Sequence, residues 1–87
     1  MESIDYSVVI RTTGKAGAKY RALLDSIDAL EPPPVEVIVV LPNGYALPPE
    51  QLGYERFCFS PKGMVIQRLF GMDQCRTAYA LVCDDDV

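Results

Sequence analysis

Histidine is absent from this chain, and that removes histidine-based catalytic triads and the usual zinc sites. Basic residues are outnumbered by acidic ones, and the net charge of −4 argues against a nucleic-acid-binding surface. Cysteine is too sparse for a disulfide framework: Cys58, Cys75 and Cys83 are odd in number, have no C-x-x-C spacing, and read as reduced core residues of a cytoplasmic protein. No apolar run is long enough to span a bilayer. The opening residues Met1 to Asp5 lack the basic-then-apolar pattern of a signal peptide. What remains is a globular composition in 87 residues, room for at most one small domain with a modest core.

The stretch around which the chain makes sense lies near its end. Tyr79 to Cys83 is a short apolar run that stops abruptly at Asp84-Asp85-Asp86. A buried strand opening into an acidic turn suits a hard divalent cation, which is commonly held by one or two carboxylates plus substrate phosphates. Alternate aspartates can face one ion while the middle one turns elsewhere, towards the sugar part of a ligand. The competing reading of the three aspartates alone is a solvated acidic tail.

Upstream, Tyr6 to Ile10 is a β-branched run that fits a strand covered on both faces. The polar loop Arg11-Thr12-Thr13-Gly14-Lys15 follows; it is not a Walker A loop, because the upstream glycine and the Ser/Thr after the lysine are missing. Tyr20, Leu23, Leu24, Ile27 and Leu30 recur at helical spacing until Pro32-Pro33-Pro34 ends the helix. Val35 to Leu41 is the strongest strand signal, stopped by Pro42-Asn43-Gly44. Tyr45 to Gly53 reads as loop with room for one helical turn at Pro49 to Leu52, and Arg56 to Phe59 as a short third strand.

Met64 to Thr77 is expected to be a second helix, with Val65, Leu69 and Met72 as its packing stripe, widened by Ile66 and Phe70. Gly71 within it suggests close packing or a site nearby. Lys62 reads as a solvated lysine, and Tyr6, Tyr20, Tyr54 and Tyr79 as core or boundary residues.

The alternation strand, helix, strand, loop, strand, helix, strand predicts an α/β fold, a Rossmann-like open parallel sheet with flanking helices. In such sheets ligands bind beyond the carboxyl ends of the strands. The loops at Arg11 to Gly14, Leu41 to Gly44 and Asp84 to Asp86 would share that edge.

In this order the pieces resemble the N-terminal half of an inverting family 2 glycosyltransferase of the A-type nucleotide-sugar-binding fold. The resemblance rests on Ser7-Val8-Val9-Ile10 with a polar loop after it, Glu36 to Val40, the spacing of Gly63, Arg68 and Gly71, and the Tyr-led strand ending in Asp84-Asp85-Asp86. It implies a strand order of about 3-2-1-4 and a nucleotide-sugar site formed by Arg11, Thr12, Thr13, Asn43, Arg68, Asp84 and Asp85. Asp86 and Asp84 would ligate Mn²⁺ or Mg²⁺. The implied donor is a nucleotide-diphosphate sugar, and the acceptor a sugar, a polysaccharide or a lipid-linked acceptor.

The chain departs from the pattern in three places. Leu41 and Pro42 stand where members carry one or two aspartates, Leu69 follows the arginine in place of asparagine, and Arg11 replaces a common proline. These departures fit either a divergent subfamily with altered donor choice or one that has lost activity.

An inverting transfer needs a carboxylate to take the proton of the acceptor hydroxyl, and no residue here can be assigned that role. Residues 1–87 are therefore expected to be a donor-binding subdomain, inactive alone, of a longer cytoplasmic enzyme, with association of that parent with the inner face of the membrane left open. Two other readings stand beside it. One is a sugar nucleotidyltransferase, whose Gly-rich loop Arg11 to Gly17 matches only thinly. The other is a non-catalytic α/β binding module.

An edge position for the fourth strand, Tyr79 to Cys83, would leave apolar backbone open to pairing with another copy. Light scattering at high concentration is expected to show a dimer or larger assembly, and a clean monomer would overturn that expectation.

Overall fold

The computed structural model describes residues 5–84. Four strands, β1 (Tyr6–Arg11), β2 (Glu36–Pro42), β3 (Arg56–Ser60) and β4 (Tyr79–Asp84), form one parallel sheet in the order β3-β2-β1-β4. Helices α1 (Ala18–Asp28) and α2 (Met64–Asp73) form the crossovers from β1 to β2 and from β3 to β4. This is the α/β class and parallel pairing expected from the alternation of elements, in the strand order that the resemblance implied. Residues 49–52 are loop without a helical turn. No helix among the described residues is long and apolar enough to cross a membrane.

Strand alternation divides the sheet into two faces. Val8, Ile10, Val37, Val39 and Leu41 point towards α1 and pack with Tyr20, Leu24 and Ile27. Val9, Ile38 and Val40 point the other way, with Cys58, Phe70, Cys75 and Val82 around them. β1 and β2 are thus covered on both sides, which is why their sequences are nearly continuous apolar runs. Each fully buried Val, Leu or Ile contributes roughly 1.5–3 kcal/mol, so these two central strands dominate the stability of the fold. Tyr20 lies in this core, Tyr6 is half-buried, and Tyr54 and Tyr79 are exposed.

α2 differs from expectation in its length and in the face it buries. It ends at Asp73 instead of Thr77. Gln74 and Cys75 close the last turn by donating their N–H groups to the Gly71 and Met72 carbonyls, and the chain then leaves the helix axis, where the Arg76 N–H donates to Glu36 Oε2 at 2.7 Å. The buried positions are Gln67 and Gly71, whereas Val65, Leu69, Met72 and Ile66 are exposed. The sheet already supplies bulky side chains here, so the helix meets it with its smallest residue. A Cβ on Gly71 would lie 2.8 Å from Val40 Cγ2 and closer still to Val9 Cγ1. α1, which presents Tyr20, Leu24 and Ile27, rides farther from the strands than α2 does.

The amino end of the sheet is tied by one carboxylate. Glu36 accepts hydrogen bonds from the Ser7 hydroxyl (2.8 Å), Arg56 Nη2 (3.1 Å) and the Arg76 N–H. Arg56 also donates to the Gln74 carbonyl, and the Thr77 hydroxyl lies 2.7 Å from that of Ser7. Burial is the largest single influence on Glu36 and pushes its pKa up. The bonds from Arg76, Ser7 and Arg56 together outweigh it and hold the pKa below the usual carboxylate value.

β4 and β3 are the edges of the described sheet. Tyr79 and Leu81 on β4 are exposed, as are Val65, Leu69 and Met72 on α2.

Gly71→Ala is expected to destabilise the protein by about 1–3 kcal/mol through overpacking, despite the better helix propensity of alanine. Chemical denaturation measures this. Adding Val40→Ala should make the double variant less destabilised than the sum of the two single ones, because the methyl removed is one that the new Cβ strikes.

Candidate functional site

The carboxyl ends of the four parallel strands share one edge, and the expected polar residues gather there. Arg11 and Asp84 are register partners at the ends of β1 and β4, and both lie on the face that α2 covers. Arg11 Nε donates to Asp84 Oδ1 at 3.2 Å, with side chains only 6% and 12% exposed. Arg68 enters from the second turn of α2. Its Nε donates to Asp84 Oδ1 at 3.3 Å and its Nη2 to Oδ2, so both carboxylate oxygens are engaged. Two guanidinium groups thus converge on one carboxylate. Arg68 beside Asp84 is the main cause that lowers its pKa; burial opposes this and Arg11 adds to it, leaving Asp84 below the usual carboxylate value.

The loop after β1 is shaped from within. Thr12 is fully buried, and its hydroxyl oxygen accepts a hydrogen bond from the Gly14 N–H at 2.9 Å. Its N–H continues the ladder to the Val40 carbonyl. Thr13 is half-buried at the rim. Gly14 has φ 78°, and a Cβ there would sit 3.2 Å from both the Ala46 carbonyl oxygen and Leu41 Cδ2, so the first two edge loops touch at a position only glycine fits well. Asn43 is exposed just past β2, its N–H bonded to the Ser60 carbonyl at 2.8 Å. Leu41 and Pro42 are both buried. They present no polar group to this edge.

Sequence reasoning missed Gln67. Its buried side chain donates from Nε2 to the carbonyls of Thr12 (3.1 Å) and Val40 (3.0 Å), and its Oε1 accepts from the Gly63 N–H at 3.3 Å. One amide therefore ties the ends of β1 and β2 to the start of α2. Its signal in the sequence is a lone uncharged polar residue four positions before Gly71, which becomes visible once Gly71 is seen to mark the buried face. The meeting of Lys15 and Lys62 at Tyr45 was also not foreseen. The two ammonium groups lie 4.9 and 5.4 Å from the centroid of the Tyr45 ring.

The three cysteines are free thiols and partly buried, and burial raises the pKa of each. They are therefore poor nucleophiles.

Among the described residues, no group of three or more Cys, Asp and Glu side chains is placed to hold a metal ion. The one carboxylate at this edge that the structure describes, Asp84, already faces two cations and fits poorly as a primary metal ligand. Asp85 and Asp86 lie outside the described residues. Compared with protein-family models, curated proteins and solved structures, the chain matches none.

Asp84→Asn removes the negative charge that Arg11 and Arg68 share, and loss of these charge-assisted hydrogen bonds is expected to cost about 1.5–3 kcal/mol. Because the folded-state pKa of Asp84 is depressed, its stabilisation is complete above the ordinary aspartate pKa of about 4 and is lost as the pH falls through the depressed value. Thermal unfolding across this range should show a full gap between wild type and variant near neutrality that closes in acid.

Proposed function

We propose that this chain is the donor-binding part of a metal-dependent inverting glycosyltransferase and takes a nucleotide-diphosphate sugar at the carboxyl edge of its sheet. The observation that supports this best is the meeting of Arg11, Arg68 and Asp84 at the end of β4, directly before Asp85 and Asp86. An edge lined by guanidinium groups and backed by helix starts suits a phosphorylated ligand. Thr13 and Asn43 stand at the same edge, within the loops that follow β1 and β2. Thr12 contributes by fixing the loop, since its own hydroxyl faces inward.

In this reading Arg11 is a positioning residue. It holds Asp84 so that Arg68 meets both carboxylate oxygens, and Asp84 in turn orients the Arg68 guanidinium, which is one-third exposed. Asp86 would ligate Mn²⁺ or Mg²⁺, and Asp85 would serve the nucleotide sugar. The acceptor would be a sugar, polysaccharide or lipid-linked hydroxyl. A second reading, a non-catalytic binding module on the same fold, is favoured by the engagement of Asp84 with two arginines and by buried Leu41 and Pro42.

The test is an NMR titration of labelled protein with UDP, GDP and their sugars, with and without Mg²⁺. Metal-dependent shifts at Thr13, Arg68 and Asp84 that vanish in Asp86→Asn are expected, and the nucleotide giving them identifies the base. Shifts that need no metal would favour the binding module. No shift with any nucleotide would remove the donor site.

A further inference from the structure

A second group of side chains lies on this edge, around the loops that follow β1, β2 and β3. Tyr45, half-buried in the loop after β2, has the ammonium groups of both Lys15 and Lys62 within cation–π distance of its ring. Neither lysine makes a salt bridge with the described acidic residues. The chain as a whole is acidic, at −4, so two unneutralised ammonium groups drawn to one ring are a local reversal of its charge. Beside the ring is an open cavity of about 350 Å³ lined by Lys15, Gly44, Tyr45 and Ala46.

The helices add to the positive potential. Each lysine stands just before a helix start: Lys15 two residues ahead of the Gly17 cap of α1, Lys62 one ahead of the Gly63 cap of α2. Neither helix has an acidic residue in its first turn or a side-chain cap. The amino-terminal partial charge of α1 is thus left for an anion to meet, and that of α2 is met among the described residues by the neutral Gln67 amide oxygen. The ring attracts both ammonium groups, and Lys15 and Tyr45 themselves line the cavity.

We propose that Lys15, Tyr45 and Lys62 form an oxyanion site for a phosphoryl group, separate from the Arg11–Arg68–Asp84 cluster. The ligand class is a phosphorylated small molecule: its phosphoryl oxygens lie between the two ammonium groups and the rest of it rests in the cavity beside the ring. Lys62 beside Tyr45 lowers the pKa of its hydroxyl, in keeping with a positive local field. The site does not depend on the sugar-nucleotide reading, because a phosphoryl group alone suffices to occupy it.

Labelled protein titrated with inorganic pyrophosphate at constant ionic strength, without metal, tests this. Saturable shifts are expected at the backbone of residues 14–16, 44–46 and 62–63, with little change at Arg68 and Asp84. Lys15→Gln and Lys62→Gln should each weaken binding about tenfold, as loss of one charge-assisted contact predicts. Both lysines are exposed, so these variants should keep the wild-type circular dichroism and melting temperature. The same titration with a sugar phosphate and with a nucleoside diphosphate shows whether the phosphoryl group arrives on a sugar or on a nucleotide. Shifts no larger than those from matched sodium chloride, or shifts that persist unchanged in the Lys15→Gln/Lys62→Gln double variant, overturn the proposal. Shifts confined to Arg68 and Asp84 also overturn it, while leaving the sugar-nucleotide site standing.

Discussion

The close approach of α2 to the central strands is the constraint on which the rest of this structure depends. Gly71 permits it by having nothing to place between the helix and the Val9 and Val40 side chains. At that distance Gln67 reaches two strand-end carbonyls that a helix held off by larger residues would leave to water or unpaired. Buried polar groups are expensive unless bonded, so the amide and the glycine depend on each other. Arg68 is the next residue, and its reach to Asp84 is set by the same register.

Charge at the carboxyl edge is organised as two neighbouring groups of different kind. At the end of β1 and β4, Arg11 and Arg68 neutralise Asp84 and lock it in place. Around the loops after β1, β2 and β3, Lys15 and Lys62 are held only by the weak attraction of an aromatic ring. The first group is largely buried and preorganised; the second is exposed and adaptable. A ligand meeting both would find rigid planar donors on one side and mobile point charges on the other.

Much of the fold was legible because its physics is local. The runs Tyr6 to Ile10 and Val35 to Leu41 are apolar on both faces, as covered central strands must be, and their alternation with helices dictated parallel pairing. The placing of Arg11 and Asp84 on one edge followed from that topology, whereas Arg68 was expected there only from the resemblance. The buried face of α2 was not legible, since an apolar stripe at Val65, Leu69 and Met72 outweighs one glycine and one glutamine in any periodicity argument. What decided the matter was bulk supplied by other strands, which helical spacing does not encode. The lysine pair at Tyr45 escaped for a similar reason: its members are far apart in the chain and meet only through loop geometry.

The carboxylate of Glu36 sits at the opposite pole of the sheet from the ligand edge, and gathers β1, β2, β3 and the segment entering β4 into one knot. Cohesion of the sheet and chemistry of its rim are therefore lodged at separate ends of the same strands. Substitutions in the loops at 12–15 or 43–46 leave that knot untouched. The rim is free to diversify in what it recognises while the strands beneath it keep a common anchor.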